Sequence, residues 1–331
     1  MTDTRPDHFY LKPYCTAFLE SSTQSMQNLE SSIQKILQMP PRHFEISYNR
    51  RDLILYALGI GETDRQFTHE SDPFFAAFPL YPVMFPFLEN AHDISLFPPK
   101  SLCLDEGTFP PIKSVIHVEQ TLEIHHLIAN QSATYHCESK ILSIRGKVKG
   151  AFMERETLIK NQNGILHARL LSGLYIPGLC GICKNESASL RSRIVMPRDQ
   201  KPDWEFSLKT TPEQAMLYRL SGDYNPLHID PDIAISYGFE SPILHGLCTM
   251  GIAARVLYKI LCCRVPSRFK KIRVRFRKPV YPGDSLNIQI WRHSSENDQQ
   301  IVVFRTIVPE RDCVVLDGGE FTYLLGQRAR L

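Results

Sequence analysis

The sequence predicts an α+β fold in which one unit occurs twice, each copy a central helix wrapped by an antiparallel sheet. Three observations predict it: an internal echo at a fixed offset, an apolar run too uniform for a surface helix, and strands of alternating polarity after that run. Residues 44–61 read FEISYNRRDLILYALGIG and residues 206–223 read FSLKTTPEQAMLYRLSGD. At an offset of 206 − 44 = 162, Phe44 falls on Phe206, Ile46 on Leu208, Leu55 on Leu217, Tyr56 on Tyr218 and Leu58 on Leu220. With a slip of one residue, Pro79-Leu80 then meets Pro242-Ile243. Two windows in the same order favour duplication over chance.

Residues 1–40 precede the echo, and 19–38 within them read as an amphipathic helix ended by Pro40-Pro41. The first copy takes residues 41–165, the second 204–326. Each is read as a short strand, a short helix, a loop, a longer apolar segment and then several strands. The stretch 166–203 is less periodic and rich in Gly, Ser, Pro and charge, so it reads as a connection, part of it packed strand. In the second copy 243–261 (ILHGLCTMGIAARVLYKIL) is apolar nearly all round, the pattern of a buried helix. After it, Ile272, Val274 and Phe276 face one way and Lys271, Arg273 and Arg275 the other. Leu286, Ile288 and Ile290 repeat the alternation after a Tyr281-Pro-Gly-Asp284 turn, and 301–308 and 319–325 add further strands. A buried helix wrapped by an antiparallel sheet is the hot-dog arrangement, and two copies make a double hot dog.

The chain of 331 residues is 43% hydrophobic and 22% charged, which excludes wholesale disorder and a fibrous repeat. A net charge of +3 is too small to argue for a nucleic-acid partner. No run approaches the ~18 apolar residues of a membrane helix. Nine scattered cysteines, with no apolar run in residues 1–12, predict free thiols in a reducing compartment. Cys180-Gly-Ile-Cys183 has zinc-like spacing, but no second pair follows, so no metal is expected. Residues 327–331 end in Ala329-Arg330-Leu331, a small, basic, Leu terminus like the Ser-Lys-Leu peroxisomal address that an import receptor reads.

The densest chemistry lies in YRLSGDYNPLHIDP (218–231). Ser221-Gly222 ends a short helix and Pro226 bars an immediate restart, so Asp223, Asn225 and His228 gather on an irregular loop. An Asp–His pair exchanges protons at neutral pH, and Asn225 adds a neutral group able to hold a water. Gly246 stands near the start of the buried helix, where backbone N–H groups and the dipole favour developing negative charge. Taken singly, an Asp in such a turn is commonly just an Asx-turn and a lone His is structural. The duplication weighs against that: the first copy keeps the apolar frame but has Gly61 opposite Asp223 and Gln66 opposite His228 (228 − 162 = 66). One active centre per chain is the expectation.

YRLSGDYNPLHIDP, with GFESPILHGLCT after it, resembles the hydratase-2 signature of the MaoC-like dehydratase family almost residue for residue. KIRVRFRKPVYPGDSL, the first-half RRDLILYALGIG and His117-Val-Glu-Gln120 resemble further blocks of eukaryotic members, over roughly residues 42–326. The resemblance implies a (3R)-specific 2-enoyl-CoA hydratase acting without metal or redox cofactor on an acyl-CoA. It makes Asp223 and His228 the acid/base pair, Asn225 the holder of the water, Gly246 the donor to the thioester carbonyl, and Glu70 a further important carboxylate. Tyr224, Pro226, Leu227, Phe276, His117 and Val118 would line the acyl-CoA site. A homodimer and the peroxisomal import receptor are the other partners expected, with no nucleic acid. Three departures stand out: Val118 where Gly is common, a lengthened Arg145–Gly150 stretch, and residues 1–40 without a counterpart. The basic run RFKKIRVRFRK (268–278) is read as a solvated strand face or, in preference to nucleic acid, a contact for CoA phosphates. Two rival readings stay open: a dehydratase of a specialised biosynthetic route, and a non-catalytic acyl-CoA binder.

Overall fold

The computed structural model describes residues 23–88, 94, 97–99, 102–103, 114–180, 182, 196–197, 200–296 and 298–325. Ten strands form one sheet. The first five are β1 (Arg42–Tyr48), β2 (Ile116–Ile124), β3 (Ala133–Lys147), β4 (Gly150–Lys160) and β5 (Leu166–Pro177). The second five are β6 (Trp204–Lys209), β7 (Phe269–Phe276), β8 (Ser285–Glu296), β9 (Gln299–Val308) and β10 (Cys313–Leu324). Their spatial order, β1-β3-β4-β5-β2-β7-β10-β9-β8-β6, reads the same from either end when each first-half strand is matched to its second-half counterpart. The echo in the sequence is therefore an echo in topology. Leu166–Pro177, at the head of the stretch read as a connection, is a strand seated between β4 and β2.

The helices are α1 (Thr23–Gln38), α2 (Arg50–Gly59), α3 (Arg65–Thr68), α4 (Phe85–Leu88), α5 (Gln214–Arg219), α6 (Pro231–Ser236) and α7 (Gly246–Leu261). Asn49 and Asp52 close a capping box that starts α2 where the sequence turns from strand to helix. Helix α7 is the wrapped helix of the second copy: Leu247 to Ala254, Leu257, Tyr258 and Leu261 are buried on every side. Between α3 and β2 of the first copy, the described helical residues are a 3₁₀ turn, Tyr81–Met84, running into α4. Pro82 and Pro86 lack the N–H that a regular helix needs there. Aromatic rings fill that space, with Tyr48 edge-on to Tyr81 at 5.5 Å and Tyr56 against Tyr81 at 5.2 Å.

The core has two parts. The main cluster joins both copies around α7, and a smaller one sets Ile33 and Ile36 of α1 on Ile144, Ala151, Met153 and Ile176. So the N-terminal helix, which the sequence left without a counterpart, roofs the inner face of β3–β5 beyond the reach of the main core.

The copies meet at β2 and β7, with Glu119 opposite Arg275 and Thr121 opposite Arg273. Here the basic strand departs from expectation. Arg273 is buried and bonds Glu119 at 2.7 Å, Arg275 reaches Glu119 at 3.4 Å, and Lys271 lies 3.0 Å from Glu320 and 3.8 Å from Glu123. The neighbouring strands β2 and β10 present an acid for each of these bases. A wholly solvated face does not describe β7; Lys271, Arg273 and Arg275 make it a charged seam between the halves.

Candidate active site

Gly222 takes φ +125°, which a side chain resists, and this bend turns the chain inward after α5. Asp223 follows it into the interior at 8% exposure. One carboxylate oxygen accepts the Asn225 N–H at 3.3 Å, so the Asx-turn is real, but it is the single bond to the carboxyl among the described residues. Burial pushes the carboxyl up to about 7, the Asn225 N–H opposing it. Asn225 Oδ1 accepts from Leu227 N–H and caps the 3₁₀ turn Pro226–His228. That leaves the amide Nδ2 as the group that could hold a water.

His228 is buried, and its Nδ1 lies 2.8 Å from the Ile243 carbonyl. A carbonyl only accepts, so Nδ1 carries the proton and Nε2 offers a lone pair. Burial lowers this imidazole to about 4, so at neutral pH it is an uncharged base. The third member was not singled out from sequence. His245, 1% exposed, stacks on His228 with ring centroids 3.6 Å apart and donates from Nε2 to the Asp223 carbonyl at 3.1 Å. Its Nδ1 is buried without a partner, and burial holds the ring well below the ordinary value. The signal was its position directly before Gly246, the first residue of α7.

Each of Asp223, His228 and His245 places a side-chain ligand atom within 4.8 Å of the others, so this is also the set that could hold a metal ion. The first N–H groups of α7 open beside it, as helix geometry requires. A Cβ added at Gly246 would sit 3.1 Å from the Phe276 ring, so glycine lets the helix start press against Phe276. Phe276 in turn meets His117 edge-on at 5.1 Å, and Val118 is the unpaired residue of a bulge in β2. Tyr224 lies under the Arg219 guanidinium at 5.1 Å, Leu227 is half-buried and Pro226 exposed. Glu70 is not brought in: it stands on an exposed turn, 4.0 Å from His69, with no described contact to Asp223, His228 or His245.

The first-copy counterparts of the pair are occupied by α7. Arg255 Nη1 donates to the Gly61 carbonyl, and Tyr258 donates to Gln66 Oε1 at 2.9 Å. Lys259 reaches the buried Glu62 at 2.7 Å. The degenerate loop has become the dock of the central helix.

Residues 194–312 match the family model described as MaoC like domain, and residues 46–175 match the MFE-2 hydratase 2 N-terminal domain. The chain is 34% identical to the probable enoyl-CoA hydratase 2 of Dictyostelium discoideum, over 78% of this chain and 87% of that one. The chain belongs to the MaoC-like hydratase 2 family. A MaoC-like dehydratase from Phytophthora capsici superposes with a TM-score of 0.83 at 43% identity, over 90% of this chain and 99% of that chain. The peroxisomal multifunctional enzyme type 2 of Drosophila melanogaster superposes at 0.71 with 30% identity, covering 92% of this chain. This hydratase 2 chain spans about half the length of that enzyme.

His245 touches both members of the pair, and this makes a prediction. His245→Ala loses the bond to the Asp223 carbonyl, whereas His245→Gln can keep an amide N–H where Nε2 stood. Turnover should fall about tenfold or more in the alanine variant, from misplacement of the pair, and recover in part in the glutamine variant. Equal losses in kcat for both would mean that the ring's stack, not its bond, matters.

Proposed function

We propose that this chain is a hydro-lyase that reversibly adds water across a trans-2-enoyl-CoA to give a (3R)-3-hydroxyacyl-CoA in fatty acyl-CoA metabolism. The observation that carries it is the pairing of a neutral imidazole base with a carboxyl of raised pKa beside a helix N-terminus. His228 Nε2 takes a proton from a water held with Asn225, and the water oxygen bonds to C3. The C2–C3 π pair moves toward the thioester carbonyl, whose developing charge the α7 N–H groups, Gly246 foremost, stabilise. Protonated Asp223 then delivers its proton to C2 on the same face. Proton return from His228 to Asp223 resets the pair, and in dehydration every step runs backward. No electrons change redox state, so the reading calls for no redox cofactor, and turnover that survives chelation is the result expected for the three-residue cluster. Tyr224, Leu227, Phe276, His117 and Val118, with the exposed Pro226, are the residues we assign to the acyl-CoA path.

A chiral product assay across enoyl-CoA chain lengths tests the reading: crotonyl- and decenoyl-CoA should both yield the (3R)-alcohol. Binding without turnover would favour the acyl-CoA-binder alternative, and turnover restricted to one unusual acyl group the specialised dehydratase.

A peroxisomal setting is consistent with the name of the Drosophila relative. Ala329-Arg330-Leu331, outside the described residues, is the address we assign to an import receptor. Deleting Leu331 should leave a tagged protein dispersed in the cytosol; continued import would exclude this tail as the signal. A homodimer belongs to the same proposal, and light scattering tests it.

A further inference from the structure

The hydration step uses Asp223, Asn225 and His228 and leaves one polar group of the site without a task. His245 is 1% exposed, its Nε2–H goes to the Asp223 carbonyl at 3.1 Å, and its Nδ1 is buried with no partner among the described residues. Since Nε2 carries the proton, Nδ1 is an imidazole lone pair. No step of the reaction calls on it.

Two further acceptors lie in the same cluster. His228 gives its Nδ1–H to the Ile243 carbonyl at 2.8 Å, which leaves Nε2 as a second lone pair. The Asp223 carboxyl takes one bond among the described residues, from the Asn225 N–H. The three side chains place one ligand atom each within 4.8 Å of one another. Zinc holds nitrogen and oxygen ligands at about 2.0–2.2 Å, so the ligand atoms of a tetrahedral ion stand roughly 3.3–3.5 Å apart. Side-chain rotation over the remaining distance closes the set. Each imidazole is already held as metal-binding histidines are, its other ring nitrogen donating to a backbone carbonyl. Two nitrogens and a carboxylate oxygen suit zinc and its transition-metal neighbours, whereas magnesium and calcium take oxygen ligands.

We infer that Asp223, His228 and His245 bind a zinc-class divalent cation, with water as the fourth ligand, and that the bound ion reversibly inhibits hydration. The ion occupies the His228 lone pair that would take a proton from water. It also replaces the proton on Asp223, which leaves to solvent. The positive end of α7, which starts directly after His245, and the charge of Arg219, felt at His245, oppose the cation. The site is therefore one for reversible inhibition and not for a resident metal, in keeping with turnover that survives chelation. The inhibition, though not the binding, rests on the hydratase reading above.

The test titrates Zn²⁺ alone into the full chain during crotonyl-CoA hydration. KM should rise with kcat unchanged, EDTA should restore it, and the same concentration of Mg²⁺ should have no effect. In His245→Gln, read on its own residual turnover, the inhibition constant should rise about tenfold or more. Loss of even a hydrogen bond to a ligating histidine weakens a metal site ~10–100-fold. Cys180 and Cys263 are exposed thiols that also take zinc, so the titration is repeated after alkylation. Equal inhibition constants in wild type and His245→Gln, or inhibition abolished by alkylation, would overturn the inference. Co²⁺ gives a readout that needs no turnover: its visible absorption should report imidazole ligation in wild type, with affinity about tenfold lower or more in Asp223→Asn. Unchanged Co²⁺ affinity in that variant would overturn it too. If wild type fails to hydrate crotonyl-CoA, the hydratase reading falls, and the Co²⁺ titration still judges the site.

Discussion

Asp223→Asn should lower turnover of any accepted enoyl-CoA by ~10²–10⁴-fold, the range for a positioned acid or base. The same substitution should make the fold more stable at neutral pH. The second effect follows from burial. Folded Asp223 keeps its proton up to about pH 7, whereas in the unfolded chain it loses it near the ordinary value of 3.8. Between those values the folded state holds one proton more than the unfolded, so stability falls as pH rises through the window. Asparagine, neutral throughout, does not pay that slope. The variant and wild type should therefore melt alike below about pH 4 and diverge up to about pH 7, with the variant ahead by a few kcal/mol at most. His228 gives the opposite sign. Its folded pKa is lowered to about 4, so its contribution is present above the ordinary 6.5 and is lost as pH falls from 6.5 toward 4. His228→Ala should match the loss of turnover without the gain at neutral pH. Paired pH-resolved melts and initial rates check both, and normal hydration by either variant would sink the assignment of the pair.

The catalytic loop was legible because it is local: Ser221 to His228 are neighbours in sequence, and a proline and a glycine shape the loop whatever surrounds it. The repeat was legible because Phe44/Phe206 hold the same place in β1 and β6, and Tyr56/Tyr218 the same place in α2 and α5. What escaped lies across long separations. Glu119 and Arg273 are 154 residues apart, and alternation along β7 shows that Arg273 leaves the side of Ile272 and Val274 without revealing that an acid waits there. His245 was visible as a letter, but its stack on His228 needs the fold.

Glu119→Leu should cost about 3–5 kcal/mol of stability, the range for removing one partner of a buried ion pair, and lower Tm by several degrees. Glu119 is 6% exposed and takes Arg273 Nε and Nη2 on one oxygen, each at 2.7 Å, and Arg275 on the other. Removing the acid takes the carboxylate from a guanidinium that is itself 6% exposed, while Arg275, nearer the surface, can turn to water. The double variant Glu119→Leu with Arg273→Leu should recover most of the loss, because the buried guanidinium then goes together with its carboxylate. Activity reads the same seam differently. β2 carries His117 and β7 carries Phe276, which meets Gly246, so loosening the junction spreads the acyl path before it disturbs the Asp223 loop. In the single variant KM for long enoyl-CoAs should therefore rise at temperatures where the fold is still intact, with kcat on crotonyl-CoA changed less. A cost below about 1 kcal/mol, the range of exposed pairs, would mean that the seam is held by its backbone ladder and apolar contacts rather than by Glu119.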